Sequence, residues 1–261
     1  MLNNRVNIVI DDGIADVRLA RPDKMNAIDL PMFEEIASAI DRLAGETSLR
    51  VVVLSGEGRA FCAGLDMASV ADGGSELDLA TRSHGLANHV QQVAWGWRTL
   101  RVPVIAAVHG IAFGGGLQIA SGADIVLARA DTRFSVMEMK WGIIPDMGGF
   151  ALWRGRVRDD VVRELTYTAR EFDGVEGATL GFVSRTADDP HAEALALART
   201  IAAQNPHAVR AAKRIANLAA TANAGTILMA ESIEQIKLLQ SPNQIEAVQA
   251  HKEKRSPRFA D

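Results

Sequence analysis

Three short segments dominated by consecutive apolar residues constrain the fold of this chain more than any other feature. They are Leu49 to Leu54, Val102 to Val108 and Asp124 to Ala128. Runs of this kind are typical of strands whose two faces are both covered. Helical segments separate the three runs, so the chain crosses over between neighbouring strands. We therefore predict an α/β fold with a largely parallel sheet built from repeated strand–helix units.

The N-terminal part is predicted to add a hairpin and one long helix. Val6 to Ile10 and Ile14 to Leu19 are rich in β-forming residues, and Asp11-Asp12-Gly13 between them is a strong turn signal. An amphipathic helix is predicted from about Asp29 to Ala44. Its apolar residues recur at helical spacing, and Asp29 can cap its first turn.

Only helical signals continue beyond about Pro190. Three or four helices are predicted there. Helices begin at Pro190, Pro206 and Pro242, and a further one runs through Thr226 to Leu239. We therefore divide the chain into an α/β core at residues 1–190 and a helical C-terminal region at residues 191–261. The polar segment from Met67 to Ser83 contains paired glycines and is predicted to be a mobile loop.

Composition narrows the classes of function. The 261 residues include 28 Lys and Arg against 32 Asp and Glu, for a formal net charge of −4, and both signs are mixed along the chain. No basic block indicates a nucleic-acid partner. The start of the chain lacks the apolar core of a signal peptide, and no apolar run approaches the ~20 residues that span a bilayer. We therefore expect a cytoplasmic protein with no nucleic-acid or membrane partner.

The residue types that most often bind metals or act as nucleophiles give little signal. Cys62 is the only cysteine, which excludes an internal disulfide, and it lies between Phe61 and Ala63. Because no histidine is near it in sequence, a buried and inert thiol is the favoured interpretation. His84 and His89 lie on a predicted helix without the spacing of metal ligands, so no metal site is expected.

A run of glycines follows the second apolar run. From Val104 the chain is predicted to form a strand and a turn, followed by Gly114-Gly115-Gly116 and a helix that starts near Gly116. Glycine lets a ligand approach the backbone closely, and the first N–H groups of a helix lack internal partners. This combination is typical of an anion-binding site. A tight turn that needs glycine only for its dihedral angles explains the sequence equally well.

Several segments taken together resemble the enoyl-CoA hydratase/isomerase family, also called the crotonase superfamily. FCAGLD follows a valine-rich strand, and PVIAAVHGIAFGGGLQIASGADIVLA and FSVMEMKWGIIPDMGG come later in the chain. LARPDKMNAID near the start and EAVQAHKEKRSPRF at the end are similar to the same family. The resemblance covers nearly the whole chain in order. It implies a crotonase-like spiral of repeated strand–strand–helix units with a helical C-terminal extension, assembled as a homotrimer or a hexamer.

The resemblance also implies an acyl-CoA thioester as substrate, with no separate cofactor. In that family two backbone N–H groups bind the thioester oxygen, and the matching positions are Leu65 and Gly115. Substrate contacts near the first of these positions would fall on Ala63, Asp66, Met67 and Ala68. Many hydratases of the family have a lysine for the CoA phosphate where Ala68 stands. Lys254 matches a C-terminal lysine with the same role, although a solvated charge explains it as well.

The carboxylates distinguish the reactions of the family. Glu138 matches a catalytic glutamate and stands among apolar residues, which raise the pKa of a carboxyl group toward a useful acid–base range. Gln118 occupies the position of a second catalytic glutamate, and its amide can hold water or substrate but cannot exchange protons at neutral pH. Asp146 matches an aspartate of the family's dienoyl-CoA isomerases, which nevertheless have an acidic residue where Gln118 stands. Asp146 can equally cap a helix that begins near Met147.

Three functions are therefore compatible with the sequence. We favour double-bond isomerisation of an enoyl- or dienoyl-CoA through a thioester enolate, with Glu138 and Asp146 as the proton-transfer groups. The first alternative is an enoyl-CoA hydratase, a lyase of fatty-acid β-oxidation, in which Glu138 works with water held by Gln118 or with Asp146 as a second carboxylate. The second alternative is an acyl-CoA-binding protein without catalysis.

Overall fold

The apolar runs of the sequence form the middle of a six-stranded sheet. The structure is a computed structural model that describes residues 5–68 and 78–261, so residues 69–77 of the predicted loop lie outside the described part. The strands, numbered along the chain, are β1 (Val6–Asp11), β2 (Ile14–Leu19), β3 (Val51–Gly56), β4 (Val104–Val108), β5 (Ile111–Phe113), β6 (Ile125–Ala128), β7 (Arg133–Ser135), β8 (Glu171–Phe172) and β9 (Arg185–Thr186).

The order of the strands confirms the predicted crossover topology. The first sheet has the order β1-β2-β3-β4-β6-β9, and a second sheet of three strands has the order β5-β7-β8. Strands β1 and β2 pair antiparallel as the predicted hairpin, whereas the other pairs of the first sheet are parallel. Every residue of β4 is buried, which explains why its sequence is apolar throughout rather than alternating.

Helices connect the strands and cover the sheet. They are α1 (Leu30–Gly45), α2 (His89–Thr99), α3 (Gly115–Ser121), α4 (Gly149–Trp153), α5 (Asp159–Thr168), α6 (Gly174–Leu180), α7 (Pro190–Ala202), α8 (Pro206–Ala219), α9 (Ala224–Leu238) and α10 (Pro242–Glu253). The side chain of Asp29 accepts a hydrogen bond from Met32 N at 3.0 Å and caps α1, as predicted. The apolar face of α1, including Phe33 and Ile36, is buried.

Residues of the central strands alternate between two apolar layers. Val52 and Leu54 belong to the larger core, together with the buried faces of α1 and α2. Val51 and Val53 belong to a smaller core, where they pack with Ala194 and other small residues of α7. This alternation is the period expected of a strand. Helix α7 thus covers the sheet although it lies beyond residue 190, and the division of the chain there stays a prediction.

The C-terminal helices confirm the helical prediction for this part of the chain. Each of α7, α8 and α10 has a proline in its first turn, after a side-chain cap. Helices α9 and α10 expose apolar side chains, namely Leu228, Met229, Ile233, Ile236, Ile245 and Val248. In residues 5–68 and 78–261 no helix is long and apolar enough to cross a membrane.

The second sheet brings the glycine run to the site, and the sequence did not predict it. After β4 the chain turns and continues as β5, which pairs in parallel with β7. Gly114, directly after β5, donates a hydrogen bond to Ser135 O at 2.9 Å. A 3-10 helix at Met137–Trp141 follows β7 and contains Glu138. The pairing of β5 with β7 therefore places the glycines beside the segment that carries Glu138.

Candidate active site

A pocket of about 830 Å³ gathers most of the predicted site, and its size is typical of small-molecule sites. Its wall is mostly apolar, and Glu138 and Asp146 are the ionisable side chains among the described residues that line it. The predicted site residues that line the pocket are Ala63, Leu65, Met67, Gly115, Glu138 and Asp146. Those that lie outside its lining are Asp66, Ala68, Gln118 and Lys254.

Two backbone segments meet where the oxyanion site is predicted. Ile28 N donates to Gly64 O at 2.8 Å, and Asp66 N donates to Ile28 O at 2.9 Å, so this pairing uses groups on both sides of Leu65. A Cβ atom added at Gly64 would lie 3.7 Å from Gly115 N, which shows how close the segments are. Within the described part of the chain, neither the Leu65 N–H nor the Gly115 N–H finds an acceptor. Both N–H groups are therefore available, as far as the described residues are concerned, to donate to an acceptor bound in the pocket.

An ion pair supports the loop that carries Leu65. Arg21 Nη1 lies 2.8 Å from Asp66 Oδ2, and the same guanidinium has its Nε 3.4 Å from Asp29 Oδ2. The side chains of Arg21 and Asp66 are only 11% and 16% exposed, so solvent screens them less than a surface pair. Asp66 thus holds the loop from outside the pocket. Sequence reasoning missed Arg21, and the only available signal was its place in the LARPDKMNAID segment.

The glycines of this run serve both close approach and backbone dihedral angles, at different positions. Gly114 has φ of 50°, a conformation that favours glycine. A Cβ atom added at Gly115 would lie 2.8 Å from Met147 Sδ, and one at Gly116 would lie 2.4 Å from Cys62 O. The turn interpretation therefore holds at Gly114, and packing against a backbone carbonyl requires glycine at Gly116. At Gly115 the close atoms are the ends of the Met147 and Ile28 side chains.

Glu138 lies at the wall of the pocket and is almost completely buried, with 7% of the residue exposed. Its Oε1 accepts a hydrogen bond from Gln118 Nε2 at 2.6 Å, and its Oε2 has no partner among the described residues. Burial raises the pKa of this carboxyl group, and the negative charge of Asp146 raises it further, whereas the hydrogen bond from Gln118 lowers it. A carboxyl group whose pKa is raised in this way is suited to general acid–base catalysis.

Gln118 lies behind Glu138 rather than on the pocket wall, and it is 1% exposed. Its Oε1 accepts hydrogen bonds from Met147 N and from Gly149 N, each at 2.9 Å. The amide therefore links α3, the Glu138 segment and the start of α4. The sequence drew attention to Gln118 because it stands in the place of a glutamate. The sequence could not predict these contacts, because they join distant parts of the chain.

Asp146 also lines the pocket, and the alternative that it caps a helix is wrong. Helix α4 begins at Gly149, and its N-cap residue is Gly148 with φ of 95°, without a side-chain cap. The N–H of Gly149 is satisfied by Gln118 Oε1 instead, so the start of α4 does not need the aspartate. Burial raises the pKa of the Asp146 carboxyl group.

Two further predictions concern residues outside the pocket. Cys62 is fully buried, and burial raises the pKa of its thiol to about 12, so it stays protonated, as expected of an inert cysteine. Lys254 ends α10 in the left-handed conformation and is exposed, and its contact with CoA stays a prediction. Ala68 is also exposed.

The two histidines expected on one helix are placed differently. Helix α2 begins at His89, after the N-cap Asn88, so His84 precedes it and that part of the prediction is wrong. The rings meet, with His89 Nδ1 3.4 Å from His84 Nε2. Among residues 5–68 and 78–261 no group of three or more His, Cys, Asp and Glu side chains is placed to hold a metal ion.

Comparison with known proteins extends over nearly the whole chain. The family model described as Enoyl-CoA hydratase/isomerase matches residues 9–261. Carnitinyl-CoA dehydratase of Proteus mirabilis is 31% identical, over 99% of this chain and 99% of its own length. The mitochondrial methylglutaconyl-CoA hydratase of Mus musculus is 29% identical, over 95% of this chain and 79% of its own length.

Solved structures are similar over the same extent. The crystal structure of enoyl-CoA hydratase from Bacillus anthracis has a TM-score of 0.87 and 27% sequence identity, covering 98% of this chain and 99% of that one. The structure of enoyl-CoA hydratase from Mycobacterium tuberculosis also has a TM-score of 0.87, with 29% identity and 98% of each chain covered. These similarities confirm the predicted crotonase-like α/β fold.

Proposed function

This chain belongs to the enoyl-CoA hydratase/isomerase family and is an acyl-CoA enzyme, and we propose that it moves a double bond along an enoyl- or dienoyl-CoA. The reaction would pass through a thioester enolate. It transfers only protons, so we propose that it needs no cofactor besides the CoA thioester itself.

The thioester oxygen would bind the N–H groups of Leu65 and Gly115, which find no acceptor among the described residues. Removing a proton from the acyl chain moves an electron pair onto this oxygen, where two fixed donors stabilise the charge. In a pocket with an apolar wall such donors act more strongly than in water. The acyl chain would then lie along the apolar wall, which includes Trp141, Ile143 and Ile144.

The observation that carries the proposal is the set of ionisable groups around the pocket. Glu138 and Asp146 are the ionisable side chains in the described lining, and the pKa of each is raised by burial. Glu138, as the carboxylate, would remove a proton from one carbon, and Asp146, as the neutral acid, would deliver a proton to another carbon of the conjugated chain. Proton exchange with water would then return Glu138 to the carboxylate and Asp146 to the acid. The contacts of Gln118 support the assignment of proton transfer to Glu138 and Asp146 alone. The oxygen of its amide accepts hydrogen bonds from two backbone N–H groups, and its nitrogen faces Glu138.

Hydration is the second candidate, and the names of the relatives favour it. The Proteus mirabilis relative is named a dehydratase and the Mus musculus relative a hydratase. In this chain hydration would use Glu138 and Asp146 around a water molecule, because Gln118 does not line the pocket. The same two carboxylates thus serve either reaction, and the substrate that reacts faster distinguishes the two.

Product analysis tests the proposal directly. We expect a 3-enoyl-CoA or 3,5-dienoyl-CoA to be isomerised faster than crotonyl-CoA is hydrated. Asp146→Asn is expected to slow isomerisation more than exchange of the α-proton with D2O, since only the second proton transfer uses Asp146. Faster hydration of crotonyl-CoA would favour the second candidate. Tight acyl-CoA binding with neither turnover nor exchange would indicate the non-catalytic alternative.

We also propose a homotrimer or a hexamer. The support is the set of exposed apolar side chains on α9 and α10, of which Leu228, Met229 and Ile236 are more than half exposed. Apolar patches of this kind are typical of protein–protein interfaces. Light scattering of the purified chain would give the mass, and a monomer at all concentrations would contradict this proposal.

A further inference from the structure

We propose that Gln118 is the positioning residue of the catalytic base: its amide holds Glu138 Oε1 and leaves Oε2 as the atom that exchanges protons. The inference rests on the proposed function, since it assigns a role within the same site. It replaces the expectation that Gln118 holds substrate or water, because Gln118 is 1% exposed and lies outside the lining of the pocket.

The backbone around α4 determines how the amide is oriented. Gln118 Oε1 faces Met147 N and Gly149 N, each 2.9 Å away. Both of these groups are donors, so the amide atom that faces them must be the oxygen. The amide nitrogen must then face Glu138 Oε1, at 2.6 Å. The opposite orientation would place N–H groups against two donors and an oxygen against a carboxylate.

This fixed nitrogen determines where Glu138 can carry a proton. An NH2 group donates hydrogen bonds and cannot accept them, so Glu138 Oε1 is held as an acceptor. A proton taken up by Glu138 is therefore placed on Oε2, which has no partner among the described residues. Gly114 is packed beside the same carboxyl group, where an added Cβ would lie 3.3 Å from Oε1. The carboxyl group is thus held at Oε1 by Gln118 and lies close to the backbone of Gly114.

The same amide connects the two segments that carry the carboxylates. Glu138 lies on the 3-10 helix at Met137–Trp141, and Asp146 directly precedes Met147, whose N–H binds Gln118. Because one planar group binds both segments, their separation depends on Gln118 being in place. A residue with no hydrogen-bonding group at this position would release Glu138 and the segment after Asp146 together.

Two substitutions separate these contacts, and the exchange of the α-proton of butyryl-CoA in D2O reports on both. Gln118→Met has a similar volume and removes all three hydrogen bonds. Gln118→Glu keeps an acceptor for Met147 N and Gly149 N but places a carboxylate oxygen against Glu138 Oε1. Two carboxylates at such a distance share one proton. Gln118→Met removes a donor to the charged form of Glu138, so the pKa of Glu138 rises, and in Gln118→Glu full ionisation of the pair requires a higher pH than ionisation of Glu138 alone.

We expect the rising limb of the pH–rate profile to move upward by about one pH unit or more in both variants. We also expect the rate at saturation to fall by about tenfold or more, and KM to change by less than about twofold, because Gln118 lies outside the lining of the pocket. The matched control is Gln249→Glu. Gln249 Nε2 donates to Glu253 Oε1 at 2.7 Å on the exposed face of α10, and this variant should leave the profile unchanged.

A Gln118→Glu enzyme whose rising limb stays at the wild-type pH would overturn the inference. So would an effect confined to KM, which would indicate a substrate contact. If Gln118→Met fails to fold, Gln118→Glu decides the question, since it keeps the acceptor for α4. Exchange requires only Glu138 and the oxyanion site. Wild-type exchange without double-bond migration therefore refutes the proposed isomerisation and leaves this test intact, whereas a wild-type enzyme without exchange refutes both.

Discussion

The close approach of α3 to the first loop of the site can be tested with one added methyl group. A Cβ atom at Gly116 would lie 2.4 Å from Cys62 O and 2.9 Å from Cys62 Cβ. The nearer atom is a backbone carbonyl oxygen, which cannot turn aside as the end of a flexible side chain can. Gly116→Ala therefore forces α3 and the segment of Cys62 apart.

The size of this effect follows from two opposing contributions. Overpacking a well-packed core costs about 1–3 kcal/mol, whereas alanine in a helix is favoured over glycine by up to about 1 kcal/mol. We therefore expect Gly116→Ala to lower the free energy of unfolding by about 1–2 kcal/mol. We also expect slower exchange of the α-proton, because the displaced segments carry the Leu65 and Gly115 N–H groups.

Urea unfolding followed by circular dichroism measures the stability of the variant. Gly45→Ala at the end of α1 is the matched control, since an added Cβ there has no atom within 4 Å. We expect the control to stay within about 0.5 kcal/mol of the wild type. If Gly116→Ala unfolds at the same urea concentration as the wild type and exchanges at the same rate, the close-approach argument is wrong.

Two other predictions concern charges around the pocket. The negative charge of Asp146 raises the pKa of Glu138. Asp146→Asn should therefore move the rising limb of the pH profile for α-proton exchange to lower pH. A shift to higher pH would contradict this effect of Asp146 on Glu138. Arg21→Met removes the hydrogen-bonded ion pair with Asp66 at 2.8 Å, so we expect the free energy of unfolding to fall by about 1.5–3 kcal/mol, together with slower exchange. Arg163→Met, which removes an exposed ion pair of α5, should leave both unchanged, and equal effects of the two arginine variants would be evidence against a special role for Arg21.

Much of the fold follows from local patterns in the sequence. The valine-rich run of β3 and the apolar run of β4 are long enough to indicate covered strands, and both are fully covered apart from the last residue of β3. The periodic apolar residues of α1 and the capping position of Asp29 are likewise local signals. Strand β5 was missed because Ile111–Phe113 is too short to show a periodic pattern. It becomes a strand only through its pairing with β7.

The candidate site was predictable in part, and the limit again lies in contacts between distant residues. Glu138 and Asp146 could be proposed from their chemical type and their resemblance to a known motif, and both line one pocket. The contacts of Gln118 could not be proposed, because they depend on how α3, the Glu138 segment and α4 pack together. The proposed cap at Asp146 failed for the same reason, since the N–H of Gly149 is bound by a side chain far away in sequence.

The central claim is that Glu138 exchanges protons with an acyl-CoA whose thioester oxygen is held by two backbone N–H groups. The most direct test measures deuterium uptake at the α-carbon of butyryl-CoA in D2O, with the wild-type chain and with Glu138→Gln. The substitution keeps the size of the side chain and removes its ability to accept a proton. We predict that the wild type exchanges the α-proton and that the exchange rate of Glu138→Gln is lower by a factor of about 100 or more. Equal exchange by the two enzymes would contradict the account.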